Sequence, residues 1–185
     1  MKLHLRSTIA FLPFAPHFLA GQATGCADGT VTGERVGIVR IGMAIASVRE
    51  HCPILRDTTE MNEGERGRVV YALVARDTLR IDVLHDSVRF IKARGRGFTT
   101  RDSIFVGMSL ARFLNGRHPS ILVGEGKVYL LDRQHCGISF GLSREAYVKA
   151  PRLDAFALKR LPRSTTIDEI LVTGVTSRLS NEGCN

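Results

Sequence analysis

The sequence predicts an α+β fold of two similar units, each a short helix packed on an antiparallel β-meander. Three observations carry that expectation: an internal repeat, a helical stripe in each copy, and period-two runs of β-branched residues. Residues 39–55 read VRIGMAIASVREHCPIL and residues 104–122 read IFVGMSLARFLNGRHPSIL. Gly42-Met43 aligns with Gly107-Met108, Ile45 with Leu110 and Val48 with Phe113. Self-similarity at a fixed offset is the mark of a duplicated supersecondary unit.

The first copy starts with an extended step, Val39-Arg40-Ile41, that reaches the Gly-Met pair. Ile41, Ile45, Val48 and Cys52 then follow at i, i+4, i+7 and i+11, one face of a helix. Glycine lets the chain turn tightly into that helix, and Pro53 prevents its continuation. Residues 57–68 (DTTEMNEGERGR) read as a polar loop. Runs at 69–75, 79–84 and 88–93 are rich in Val, Ile and Leu and are separated by Arg76-Asp77 and His85-Asp86-Ser87. That spacing predicts a meander. Leu79, Ile81 and Val83 share one face and Arg80 and Asp82 the other, so one face is buried and one is wet.

The second copy repeats the order: Ile104-Phe105-Val106, Gly107-Met108, a helix through Leu110, Phe113 and Leu114, then Pro119. Ser109 is placed to cap this helix; its counterpart Ala44 has no side-chain acceptor. Gly124-Glu125-Gly126 is a turn, with strands expected at 128–132, 137–142 and 167–175. Residues 150–162 are basic and bounded by prolines, a connection or short helix. The expected organisation is therefore residues 1–25 as a leader, 36–98 and 99–175 as the two units, and 176–185 as a tail.

Residues 1–25 read as a secretory signal peptide. Lys2 and Arg6 precede a 12-residue apolar run, IAFLPFAPHFLA, and then small residues Ala20, Gly21, Ala23 and Gly25. A run that short does not span a membrane, which takes about 20 residues. Cleavage could fall after Ala23 or Gly25. Alternatively, Ala23-Thr24-Gly25-Cys26 is similar to a bacterial lipobox, in which Cys26 would carry lipid and tether the protein. The expected location is the periplasm or the extracellular space.

Export makes disulfides available. Cys52 ends the first helix and Cys136 begins a strand in the second half, so a Cys52–Cys136 bridge joining the halves is expected. Cys26 and Cys184 lie near the mature ends and could form a second one, unless Cys26 is lipidated. His51-Cys52 and His135-Cys136 together hold the inventory of a tetrahedral zinc site, but adjacent residues diverge and rarely ligate one ion. No metal and no cofactor is expected. The acidic residues Asp57, Glu60, Glu63 and Glu65 lack the calcium-loop pattern.

The formal charge is +8, from 26 Lys and Arg against 18 Asp and Glu. Basic surfaces attract anions, yet the chain carries no zinc-finger, RNP or helix-turn-helix pattern, so nucleic acid is not an expected partner. Neither a Walker loop nor His-Glu-x-x-His occurs. An enzyme would need a site assembled from dispersed residues, and that is the alternative reading.

Two tandem units opened by hydrophobic-x-hydrophobic-Gly-Met steps, Val39-Arg40-Ile41-Gly42-Met43-Ala44 and Ile104-Phe105-Val106-Gly107-Met108-Ser109, resemble the β-lactamase inhibitory protein fold and the single-unit SmpA/OmlA (BamE-type) envelope lipoproteins. Ala44 departs from the Thr or Ser of that pattern. The resemblance implies export and non-enzymatic protein binding through a solvent-facing sheet surface. Strand alternation nominates Arg80, Arg89 and Arg133 as contacts to a protein or an anionic envelope surface. With no Trp and only three Tyr in the chain, aromatic anchors are few, which argues against a tight enzyme inhibitor.

Overall fold

The computed structural model describes residues 26–62, 64–124, 126–143, 146, 158, 161–175 and 184. The leader at 1–25, most of the basic connection at 150–162 and most of the tail lie outside them. The described chain is a mixed helix and strand fold with two sheets. Three very short strands come first: β1 (Thr30–Thr32), β2 (Arg35–Val36) and β3 (Val39–Arg40). Helix α1 (Ile45–His51) leads to β4 (Ile54–Asn62), β5 (Glu65–Val74), β6 (Asp77–Leu84) and β7 (Ser87–Ala93). After β8 (Thr99–Thr100), α2 (Leu110–Phe113) leads to β9 (Ser120–Gly124), β10 (Lys127–Leu131), β11 (Ile138–Leu142) and β12 (Ile167–Val172).

The eight long strands form one sheet in the order β4-β5-β6-β7-β12-β11-β10-β9. Each run of four is a meander, and the two meet at their last strands, where Ile170 pairs with Ala93 and Val172 with Ile91, antiparallel. The small sheet, β3-β2-β1-β8, was not foreseen. It includes a parallel pair, Thr30 with Thr99 and Val31 with Thr100, so the chain before residue 36 reaches across to the start of the second half.

Both Gly-Met steps make the same main-chain bonds to the fourth strand of their own meander. Gly42 N donates to Val88 O at 2.8 Å and Gly107 N to Ile167 O at 2.7 Å. Val88 N donates to Met43 O and Ile167 N to Met108 O, both at 2.9 Å. Ile45 N reaches Asp86 O, and Leu110 N reaches Thr165 O. Gly42 and Gly107 hold φ of +79° and +101°, which a β-carbon would strain. Ser109 caps α2 as expected, accepting from Arg112 N, whereas Ala44 leaves α1 without a side-chain cap.

The expected loop at 57–68 is instead a long hairpin. Its arms are β4 and β5, paired from Arg56–Tyr71 to Asn62–Glu65, with only two residues in the turn. Its polarity reflects an edge strand wetted along its length, which needs no apolar alternation. The next turns, Ala75-Arg76 and His85-Asp86, have two residues at positive φ, the primed geometry that matches strand twist.

One face of the large sheet carries the core. Ala72, Leu79, Ile81, Ile91, Ala93, Ile170, Val172, Phe140 and Leu130 are fully buried there. Ile45 and Val48 from α1, Leu110 and Phe113 from α2, and Val31, Val36 and Val39 from the small sheet pack into the same cluster. Phe113 meets Phe140 with ring centroids 5.0 Å apart, a tilted pair of the favourable kind. Full burial of each such side chain contributes roughly 1.5–3 kcal/mol.

Candidate functional site

A cleft of about 550 Å³ opens where the small sheet meets the β10–β11 turn, lined by Thr32, Gly33, Arg101, Asp102, Gln134 and His135 among others. Two main chains touch at its back. A β-carbon on Gly33 would strike the carbonyl oxygen of Cys136, and one on Gly137 would strike that of Gly33. Side-chain packing could not hold the turn this close.

His135 sits at the mouth between two carboxylates. Its Nε2 lies 2.8 Å from Asp102 Oδ1 and its Nδ1 lies 3.0 Å from Asp132 Oδ2. Arg117 bridges the same pair, with Nη2 donating to Asp102 Oδ2 at 2.5 Å and Nε 3.3 Å from Asp132 Oδ2. Thr100 Oγ1 donates to Asp102 Oδ1 at 2.6 Å and accepts from Ile104 N, fixing the β8 turn that carries Asp102. Burial pushes the Asp102 carboxyl up, but hydrogen bonds from Thr100, His135 and Arg117 outweigh it and bring it down to about 2. Each ring nitrogen of His135 thus already faces an acceptor. The sequence separation of 33 between Asp102 and His135 explains why no motif announces the cluster.

The sheet face opposite the core is the second candidate. In the first meander Arg56, Tyr71, Arg80 and Lys92 stand in cross-strand register on it. Tyr71 donates to Glu60 Oε1 at 2.7 Å. Leu73 and Leu84 are open to solvent, Tyr71 and Phe90 are half-buried, and the Arg89 guanidinium lies 4.7 Å from the Phe90 ring centroid. In the second meander the same face is closed. Glu169 is fully buried, accepts from Arg94 Nε at 2.6 Å and from Tyr129 at 3.1 Å, and lies 3.6 Å from Lys127 Nζ. Burial raises its carboxyl, but Lys127, Arg94 and Lys92 more than compensate and hold it below the ordinary range. Gly141 leaves the space in which Tyr129 and Glu169 meet.

The nominated arginines do not form one surface. Arg80 is only 12% exposed, tied to Asp82 at 2.5 Å and to Glu60 at 3.5 Å, because its strand neighbours on the wet face are acids. It is half-buried and held by these acids. Arg89 is exposed on β7, and Arg133 is exposed in the β10–β11 turn, away from it. The signal that the sequence reading missed is Val70-Tyr71 and Val128-Tyr129, one pair in the second strand of each meander, with each tyrosine bonded to a carboxylate.

The cysteine pairing also differs from expectation. Cys52 bonds Cys26 and Cys136 bonds Cys184, with Cα–Cα distances of 5.4 and 5.7 Å, so there is no Cys52–Cys136 bridge. The cause is local. The strand β5 end holds residue 26 beside the α1 C-terminus through Ala75 N donating to Cys26 O at 2.7 Å. One sulfur cannot both hold this bond and carry lipid, so the Cys26–Cys52 pairing and the lipobox reading are alternatives. The two His-Cys pairs do not converge: His51 Nδ1 is held by Ser47 O at 2.8 Å, and no cluster of three metal-ligating side chains exists among the described residues. Of the acidic residues in the hairpin, Asp57 is bound by Arg49 and bidentately by Arg68, and hydrogen bonding from Arg68 lowers its carboxyl.

No family model matches the sequence, and no curated protein does. Among solved structures the chain is similar to the uncharacterized protein YfeY from Escherichia coli, at 12% identity and a TM-score of 0.56. The match covers 78% of this chain and 99% of that one. This likeness concerns the fold alone. No helix among the described residues is long and apolar enough to cross a membrane.

Proposed function

We propose that this chain is an exported, non-catalytic binding protein, built from two copies of a helix-plus-meander unit, that holds a protein partner against the outward face of its first meander. The observation that carries this reading is the make-up of that face: Arg89 stacked on Phe90, half-buried Tyr71, and open Leu73 and Leu84. Tyr and Arg dominate binding hot spots, and an aromatic with a stacked guanidinium offers both. The matched bonds at the two Gly-Met steps support the duplicated unit. Two disulfides support an oxidising compartment. His135 faces carboxylates on both ring nitrogens, which favours a cross-brace over a general base, since a base needs one nitrogen open to substrate.

The test is site-specific photo-crosslinking in the native host, with the probe at Leu73 or Phe90 and a control probe at Val123 on β9. Discrete adducts from the first two positions, lost on Arg89→Glu, are expected. Turnover of a substrate abolished by His135→Ala would instead establish the enzyme alternative.

A further inference from the structure

We infer that the free edge of β4 pairs with β4 of a second copy, antiparallel about a two-fold axis at Thr58, so that the two large sheets become continuous. Strand β4 is nine residues long and, among the described residues, ends the sheet. An open edge of that length is a template for another strand.

The direction of its main-chain groups follows from the hairpin. With two residues in the turn, Asn62 and Glu65 form the closing hydrogen-bonded pair, and such pairs alternate along an antiparallel ladder. Glu60, Thr58 and Arg56 therefore turn their N–H and C=O toward β5. At Leu55 the strand carries one extra residue, and beyond it the parity of β4 shifts by one: Pro53 O accepts from Leu73 N at 2.9 Å. Asp57, Thr59 and Met61 are left with N–H and C=O pointing away from the sheet.

Antiparallel self-pairing must join outward-facing residues to one another, which permits only registers centred on a residue. Centring on Asp57 places like charges opposite each other, as does centring on Arg56 or Glu60. Centring on Thr58 sets Arg56 opposite Glu60 of the second copy, and symmetry repeats that ion pair. The same register brings Leu55, the bulge residue, and Met61 of the second copy to the same end of the paired strands. These side chains are 53% and 63% exposed, the two most open large apolar residues among those described. Asp57 faces Thr59, and their main-chain groups complete the ladder. One register thus satisfies the charges and the hydrogen-bond parity together, with exposed apolar residues at its ends. The opposite edge, β9, has five residues and no charged side chain. Pairing of β4 with β9 would be head-to-tail, and such contacts form open-ended chains unless their rotation closes a ring.

The experiment is equilibrium sedimentation of the oxidised full chain across a concentration series. The wild type is expected to show a monomer–dimer equilibrium. Thr59→Pro removes only outward-pointing N–H groups, a position where an edge strand tolerates proline, and should raise the dimer dissociation constant at least about tenfold. Arg56→Glu and Glu60→Arg should each weaken the dimer, since both put like charges opposite each other. An equal mixture of those two variants should restore dimers, because each chain then meets its opposite charge. Unchanged intrachain disulfides and circular dichroism would establish that the variants fold. A strictly monomeric wild type, open-ended polymers, or a dimer indifferent to Thr59→Pro and to both charge reversals would overturn the inference.

Discussion

The two meanders place one interaction in opposite surroundings. In the first, Tyr71 donates to Glu60 on a half-exposed face beside the sheet edge. In the second, Tyr129 donates to Glu169, which is fully buried among Lys127, Arg94 and Lys92. The helices differ as well: α1 has seven residues without a side-chain cap, and α2 has four with one. A cap therefore does not set helix length here. Tertiary anchoring does, through the Cys26–Cys52 bond at the end of α1 and through Arg49 bound to Asp57. A polar group shared by two regions can be surface chemistry in one and structure in the other.

The disulfides offer the largest lever on this comparison. Sequence separations of 26 and 48 residues imply about 3 to 4 kcal/mol from either bridge in the chain-entropy model. Guanidinium unfolding of Cys26→Ser/Cys52→Ser and of Cys136→Ser/Cys184→Ser should each show a loss of that order. Non-reducing peptide mapping should recover Cys26 linked to Cys52; a Cys52–Cys136 peptide would contradict the pairing. Next come the two carboxylates. Glu169→Gln leaves several cations facing a buried neutral amide and should cost about 3 kcal/mol, while Glu60→Gln should cost under about 1 kcal/mol. Equal losses would erase the distinction between the faces. The caps give the smallest effect: Ser109→Ala should destabilise by about 1 kcal/mol, and Ala44→Ser should stabilise by a few tenths to about 1 kcal/mol, both read as shifts in the unfolding midpoint.

Strands β5 to β7 were legible because one face is buried and one wet, so Leu79, Ile81 and Arg80, Asp82 alternate. Both helices were legible from their stripes, and the cap on α2 from Ser109. Strand β4 was not, since an edge strand of Arg, Asp, Thr and Glu has no period to read. Strands of two or three residues, such as β2 and β8, are too short to show one. The cysteine partners were hidden because four thiols admit three connectivities and spacing does not choose among them. The pairing of Arg80 was hidden for a related reason: alternation assigns a side chain to a face but does not reveal the acids that share it. The Asp102–His135–Asp132 cluster lay beyond reach because two distant turns bring it together.

The two covalent links join neighbours in order along the chain, first with second and third with fourth. A polypeptide delivered N-terminus first can therefore close each link as its second thiol appears, with no earlier thiol left waiting. Cys52 arrives before any strand of the large sheet, so α1 and the segment at Cys26 can be fastened while the rest is still in transit. Cys184 follows all the strands, and its bond seals a sheet already assembled. Oxidation of this protein is thus compatible with a simple thiol oxidant acting in sequence, with no need for an isomerase to correct crossed pairs.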